Sequence, residues 1–124
     1  MNFKEKKSIY LQIADRVCDE ILLGHYAEDE RIPSVREYAS TVEVNVNTMV
    51  RTYDHLQNKE ILYNKRGLGY FVSLGAKKRI LAVRKEEFME EDLPELFHRM
   101  KLLGVSVAEI SFWYEKYLNN EKNH

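Results

Sequence analysis

A mainly α fold with one small β-hairpin, a winged helix-turn-helix followed by a short two-helix C-terminal region, is what this sequence predicts. Three observations carry that expectation. Two helix-start signals stand a short turn apart near Ser34 and Asn45, and two short segments rich in aromatic and β-branched residues follow them. Between those segments lies a reversal, Lys65-Arg66-Gly67-Leu68-Gly69, that is both basic and glycine-rich. Helices and hairpin in this order form a device for setting side chains into a DNA groove.

The first helix is expected from Ser8 or Ile9 to Leu23. Ile9, Ile13, Val17 and Ile21 recur every fourth residue, Tyr10, Ala14 and Cys18 widen the same face, and Asp15, Asp19 and Glu20 fall opposite. Gly24 stands where a C-terminal cap belongs. The HYAEDER segment after it reads as an exposed connection. Ser34 then opens a short second helix ending near Thr41 or Val42, with Glu37 three residues on to complete a capping box. Val35, Tyr38 and Ala39 supply its packing face, which leaves Arg36 and Glu37 pointing elsewhere.

Asn45 is a good N-cap for a third helix reaching about Lys59. Met49, Thr52, Tyr53 and Leu56 form its inward stripe, and at 100° per residue Asn47, Arg51, Asp54 and Asn58 line the opposite side. A polar outer face is the default of any surface helix. What raises this one above the default is the hairpin behind it, expected over residues 61–64 and 70–73. Its glycines let the backbone approach a phosphate closely, and its cations favour that approach.

Beyond Ala76 the character changes. Residues 77–104 read as a charged amphipathic helix with Ile80, Val83, Phe88, Leu96, Phe97, Met100 and Leu103 as apolar positions. Pro94 inside it either kinks the helix or starts a new one, since it lacks an N–H and disfavours helix at Leu93. Ser106 and Glu109 form another capping box, followed by a stripe of Ile110, Trp113, Tyr114, Tyr117 and Leu118. The division expected is a winged helix-turn-helix over residues 1–75 and a helical dimerisation region over residues 76–124.

Composition bounds the function. The 124 residues are 44% hydrophobic and 31% charged, the pattern of an ordered, water-soluble domain. No apolar run is long enough to span a bilayer, and MNFKEKKSIY lacks the apolar core of a secretory signal. The single cysteine, Cys18, rules out an internal disulfide and reads as a small packed residue rather than a reactive thiol. Together these favour the cytoplasm. The net charge of −1 does not count against nucleic acid, because what matters is charge on one face. Acidic residues gather at Glu28, Asp29 and Glu30 and across residues 86–92, whereas Arg36, Arg51, Lys65 and Arg66 sit on the elements that would meet DNA. The four histidines show no metal or hydrolase spacing, and no phosphate-binding glycine loop or nucleophile elbow is present. No catalytic residue, metal ligand or cofactor is therefore expected.

With those residues in view, the chain resembles the GntR superfamily of bacterial transcription regulators, and within it the small YtrA-like group. ILLGHYAEDERIPSVREYA is similar to that family's I-x-x-G-x-(Y/L)-x-x-G-x-x-(L/I)-P-S-x-R-x-(L/Y)-A, and VNVNTMVRTYDHLQ to its V-N-P-N-T-V-x-R-A-Y-x-x-L-E. The wing ends in the family's G-x-G-Y-F-V. Two departures stand out: Glu30 is read at a usual glycine, and Val46 replaces the usual proline or arginine. The second removes a potential contact, so an operator cannot be borrowed from relatives.

The resemblance implies a role for each matched position. Arg36 is similar to the family arginine that contacts the operator, and Asn45, Asn47, Thr48 and Arg51 occupy the recognition-helix positions facing the major groove. Arginine pairs bidentately with guanine and asparagine with adenine, while threonine meets phosphate or a thymine methyl. Ser34 caps its helix and lies close enough in sequence to touch phosphate as well. Gly67, Leu68 and Gly69 form the wing tip, with Lys65 and Arg66 beside it, following the minor groove or the backbone. The tail, too short to enclose a drug-sized pocket, is expected to pair two copies through Phe88, Phe97, Met100, Phe112, Trp113 and Tyr117. The partners implied are a double-stranded DNA operator and a second copy of the chain, with no membrane and an effector, if any, unspecified. The function expected is sequence-specific repression by a dimer on an inverted repeat. The alternative is a winged helix that binds protein and no longer reads DNA.

Overall fold

The computed structural model describes residues 7–122. Residues 1–6, most of the MNFKEKKSIY segment, and His124 lie outside them. Six helices and one hairpin follow in order: α1 (Ile9–Leu22), α2 (Val35–Val42), α3 (Val46–Asn58), β1 (Leu62–Lys65), β2 (Gly69–Val72), α4 (Ala76–Glu87), α5 (Leu93–Leu103) and α6 (Val107–Lys122). One compact unit runs through Arg84 and a second begins at Lys85.

The first unit is the winged helix-turn-helix. Ile13, Ala14, Val17 and Ile21 of α1, Tyr38 and Ala39 of α2, and Met49, Tyr53 and Leu56 of α3 meet in one core with Ile32, Leu62 and Val72. Ile9, expected on the same stripe of α1, is instead exposed at the first position of the helix. Buried polar groups inside this core are satisfied. Thr52 Oγ1 donates to the Tyr10 carbonyl at 2.9 Å, tying α3 to α1, and the Tyr53 hydroxyl donates to the Pro33 carbonyl at 2.5 Å. The Tyr38 hydroxyl donates to Glu20 Oε2 at 3.0 Å. Burial and the neighbouring Glu20 carboxylate push the Tyr38 phenol far above its ordinary value, so it stays a donor at any physiological pH.

The hairpin keeps the pairing register expected, but its strands run one residue nearer the tip, 62–65 and 69–72 rather than 61–64 and 70–73. Its pairs are Leu62↔Val72, Tyr63↔Phe71, Asn64↔Tyr70 and Lys65↔Gly69, so Lys65 belongs to β1 and the loop is residues 66–68. Alternation assigns the faces: Leu62 and Val72 turn into the core, while Tyr63 and Phe71 stack on the other side with centroids 5.6 Å apart. Tyr70 meets Tyr53 edge-on at 5.0 Å, which seats the wing on α3.

The segment before α2 is more than a connection. Arg31 bridges to Phe71, Ile32 N–H donates to the Tyr70 carbonyl at 2.9 Å, and Val72 N–H donates to the Glu30 carbonyl at 2.9 Å. It thereby acts as a short third strand along β2. The left-handed backbone in this turn falls at Asp29 (φ 68), not Glu30. Counting the family pattern from Ile21 also puts its glycine at position 29, so the departure belongs to Asp29, a residue type that tolerates this conformation better than most. Glu28 reaches across the unit: its Oε1 accepts from Gly75 N–H at 2.8 Å and its Oε2 from Lys77 N–H at 3.2 Å, capping α4 from outside its own helix. Ala76 and Ile80 of α4 are buried with the winged-helix core, and Arg84 Nη2 donates to the Asp15 carbonyl at 3.0 Å while Nη1 pairs with Asp19. The polar side of α1 is thus partly covered rather than wholly solvated.

In the second unit, Pro94 stands at the start of a new helix, one of the two outcomes expected, and no loop separates that helix from α4. Residues Phe88–Asp92 form a wide π-helical turn, in which Leu93 N–H donates to the Phe88 carbonyl five residues back, and Pro94 takes an N-terminal position of α5. A proline ring clashes with the carbonyl four residues before it, and a five-residue turn displaces that carbonyl. Gly104 ends α5 with a left-handed cap (φ 70), and Ser106 and Glu109 make the expected capping box at the start of α6.

Candidate nucleic-acid interface

The helix-turn-helix is set by three local devices. Ser34 Oγ accepts from Glu37 N–H at 3.1 Å and Glu37 Oε1 accepts from Ser34 N–H at 2.9 Å, so the reciprocal cap is complete. The Ser34 N–H, and then the Ser34 hydroxyl, hold the Glu37 carboxyl below its ordinary range. Glu43, in the left-handed region at φ 58, ends α2 and turns the chain. Asn45 then caps α3, its Oδ1 accepting from Asn47 N–H at 2.7 Å. Arg36 emerges exposed from the first turn of α2, and Asn45 and Asn47 emerge exposed at the start of α3.

On α3 the inward and outward faces separate as expected. Met49, Thr52, Tyr53 and Leu56 are buried, whereas Asn47, Arg51, Asp54 and Asn58 are exposed and Thr48 is half-buried. One contact was not legible in the helical wheel: the Arg51 guanidinium lies over the Tyr10 ring of α1, 3.9 Å from its centroid. Tyr10 in turn meets the His55 ring edge-on at 6.0 Å. Stacking fixes the plane of the guanidinium and leaves its N–H edges outward. Val50, which no sequence argument singled out, is also exposed on this helix.

The wing tip is closed by Leu68 N–H donating to the Lys65 carbonyl at 2.9 Å, with Gly67 at φ 80, a conformation that suits glycine. Arg66, Gly67 and Leu68 are exposed. Lys65 Nζ lies 4.7 Å from the Phe71 centroid, above the Tyr63–Phe71 stack, so this cation is tethered beside the tip rather than at it. Arg31 is the other cation sequence reasoning passed over, and it reaches the same tip: its Nε donates to the Leu68 carbonyl at 3.1 Å. Nothing in the local pattern could have revealed a bond spanning 37 positions.

The residues expected to pair two copies lie in the second unit. Phe88, Phe97, Phe112, Trp113 and Tyr117 are exposed, with Trp113 at 61%, and Met100 is half-buried. Phe112 and Trp113 meet edge-on at 5.5 Å with Lys116 over both rings. Among the described residues no group of histidine, cysteine and carboxylate side chains could hold a metal ion, and no helix is long and apolar enough to cross a membrane.

Comparison with known proteins places this architecture. The model of the gntR family of bacterial regulatory proteins matches residues 9–72. The chain is 34% identical over 108 residues to the HTH-type transcriptional regulator YhcF of Bacillus subtilis, covering 87% of this chain and 88% of that one. It is 29% identical to the transcriptional repressor YtrA of the same organism, covering 87% and 82%. Among solved structures, a proposed GntR-family regulator from Bacteroides thetaiotaomicron is similar with a TM-score of 0.83 at 53% identity, over 91% of this chain and 99% of that one.

Proposed function

This chain belongs to the GntR family of bacterial regulatory proteins, and we propose that within it the chain acts as a homodimeric repressor bound to an inverted-repeat operator. It is a DNA-binding transcriptional regulator rather than an enzyme. In the proposal, residues 1–75 read DNA and residues 76–124 pair the two copies, in the cytoplasm. The observation that carries it is the outer face of α3: Asn47 and Arg51 stand exposed on a helix whose other face is locked into the core by Met49, Tyr53 and Leu56. A ridge held on that many buried contacts presents its side chains in one orientation, which base readout demands.

Each group then has a role. Asn47 and Arg51 meet base edges in the major groove, with Thr48 beside them. Asn45 and Ser34, whose oxygens are taken up by capping, offer their remaining donors to phosphates at the two helix N-termini, where the dipoles favour negative charge. Arg36 contacts the operator from α2, and Lys65, Arg66, Gly67, Leu68 and Gly69 follow the backbone or minor groove. Repression follows from occupying a promoter, and similarity to the YtrA repressor supports that sense of regulation. The exposed aromatics Phe88, Phe97, Phe112, Trp113 and Tyr117, with Met100, support pairing through the tail.

The test is fluorescence anisotropy on genomic duplexes retained by the purified protein. A lost base contact costs about 1–3 kcal/mol, so Arg36→Ala and Asn47→Ala should each weaken binding roughly tenfold or more. Because both side chains are exposed, thermal melting should hardly move. Unchanged affinity in both variants would favour the protein-interaction alternative.

A further inference from the structure

Arg31 lies outside every contact proposed above, yet three observations converge on it. Its backbone is fixed against β2 through the bridge to Phe71. Its side chain runs along the strand to the wing tip, where Nε donates to the Leu68 carbonyl at 3.1 Å. At its far end Nη2 lies 3.8 Å from Glu37 Oε1, the same oxygen that accepts from Ser34 N–H at the start of α2. The guanidinium therefore stands between the wing tip and the N-terminus of the helix that carries Arg36. Gly69 lies against it: a Cβ there would stand 3.2 Å from Arg31 Nε, a tight contact that would press on the guanidinium, and the backbone at φ 110 itself favours glycine.

We propose that Arg31 is a positioning residue for DNA binding, a strut that sets the wing tip at a fixed height beside the N-terminus of α2. This rests on the wing's proposed DNA contact and adds to it the residue that orients the wing. A two-stranded hairpin is marginal by itself and its tip is free to splay. The outer end of this hairpin is held by one side chain reaching in from a different segment. The bond to the Leu68 carbonyl carries the assignment, since an exposed pair at 3.8 Å contributes little on its own. A planar guanidinium can touch Leu68 and Glu37 together, whereas a lysine ammonium is a single point on a flexible stem.

The experiment is a double-variant cycle on operator affinity, backed by ¹⁵N relaxation of the free protein. In the parent, Arg66→Ala should weaken binding by about tenfold, whereas in Arg31→Ala the same change should cost less than about threefold, because a mobile tip has already lost the contact. Arg31→Lys, which keeps the charge, should behave like Arg31→Ala. The Gly67 and Leu68 amides should become more mobile in both Arg31 variants without DNA. Additive losses, or full rescue by lysine, would make Arg31 an ordinary phosphate contact and overturn the assignment. Unchanged tip relaxation would overturn it as well, and that readout is independent of whether the wing meets DNA. Failure of the parent to select any sequence would instead count against the DNA-reading proposal.

Discussion

Arg51 lies with its guanidinium on the Tyr10 ring, 3.9 Å from the centroid, while the rest of its helix face is open to solvent. Its outward direction was legible at 100° per residue from Met49, Thr52 and Leu56. Its stacking partner was not, because α1 and α3 are brought together only by tertiary packing. The stack has a functional price attached: a flexible side chain that arrives already ordered loses less entropy when it meets a base. A cation over an exposed ring is worth about 0.5–1 kcal/mol, or about two- to fivefold in affinity. Tyr10→Leu should therefore weaken operator binding by about that factor, and Tyr10→Phe should not. Equal affinities for all three proteins, measured by anisotropy at one salt concentration, would remove Tyr10 from the account. Cys18 shows the same scale from the other side: burial pushes its thiol up to about 11, against the opposing pull of Arg84, so it stays protonated and inert, as its place on the packed face of α1 suggested.

Among the elements, those bounded by local chemistry could be read from sequence and those bounded from a distance could not. The two Ser-x-x-Glu boxes and the Asn45 cap lie within three residues of what they bond, and the structure places them as expected. The hairpin's register followed from its alternation, but its extent toward Lys65 and Gly69 did not, nor did the pairing of residues 30–32 with β2, which joins segments far apart in sequence. Propensity left Pro94 either kinking a helix or starting one; it starts α5, behind a wide turn that no local signal marked. Glu28 is the plainest case: an apparently solvated acid in a charged loop turns out to cap α4, 47 residues away. The Gly75 and Lys77 N–H groups hold its carboxyl below the ordinary carboxylate range. A depressed folded value means the stabilisation is complete above the unfolded value and is lost as pH falls through the folded one. Thermal stability should thus decline on acidification below about pH 4.5, the ordinary carboxylate value, with Glu37 adding to the same trend. Glu28→Gln should melt lower than the parent at neutral pH and converge with it in acid. Parallel curves across that window would show that the cap is not an ionic one.

For the molecule as a whole, the net charge of −1 is compatible with DNA binding because the charges are distributed unevenly. Glu28 and Glu37 are engaged by backbone N–H groups, Asp15 by Lys7 and Asp19 by Arg84, while Arg36, Arg51 and Arg66 remain exposed on the proposed reading face. With few cations per copy, one copy alone would gain little from releasing counterions, and the proposed pairing of two copies on one duplex would double that gain and its salt dependence. In the proposal, the exposed Phe97, Phe112, Trp113 and Tyr117 of the tail supply the surface for that pairing. Two-fold pairing imposes two-fold symmetry on the DNA site. Selecting genomic fragments with the purified protein, then footprinting the enriched site, tests this most directly. The account predicts an inverted repeat with half-sites about one helical turn apart, protected together by two copies of the chain. A single unrepeated half-site, protected by one copy, would contradict it.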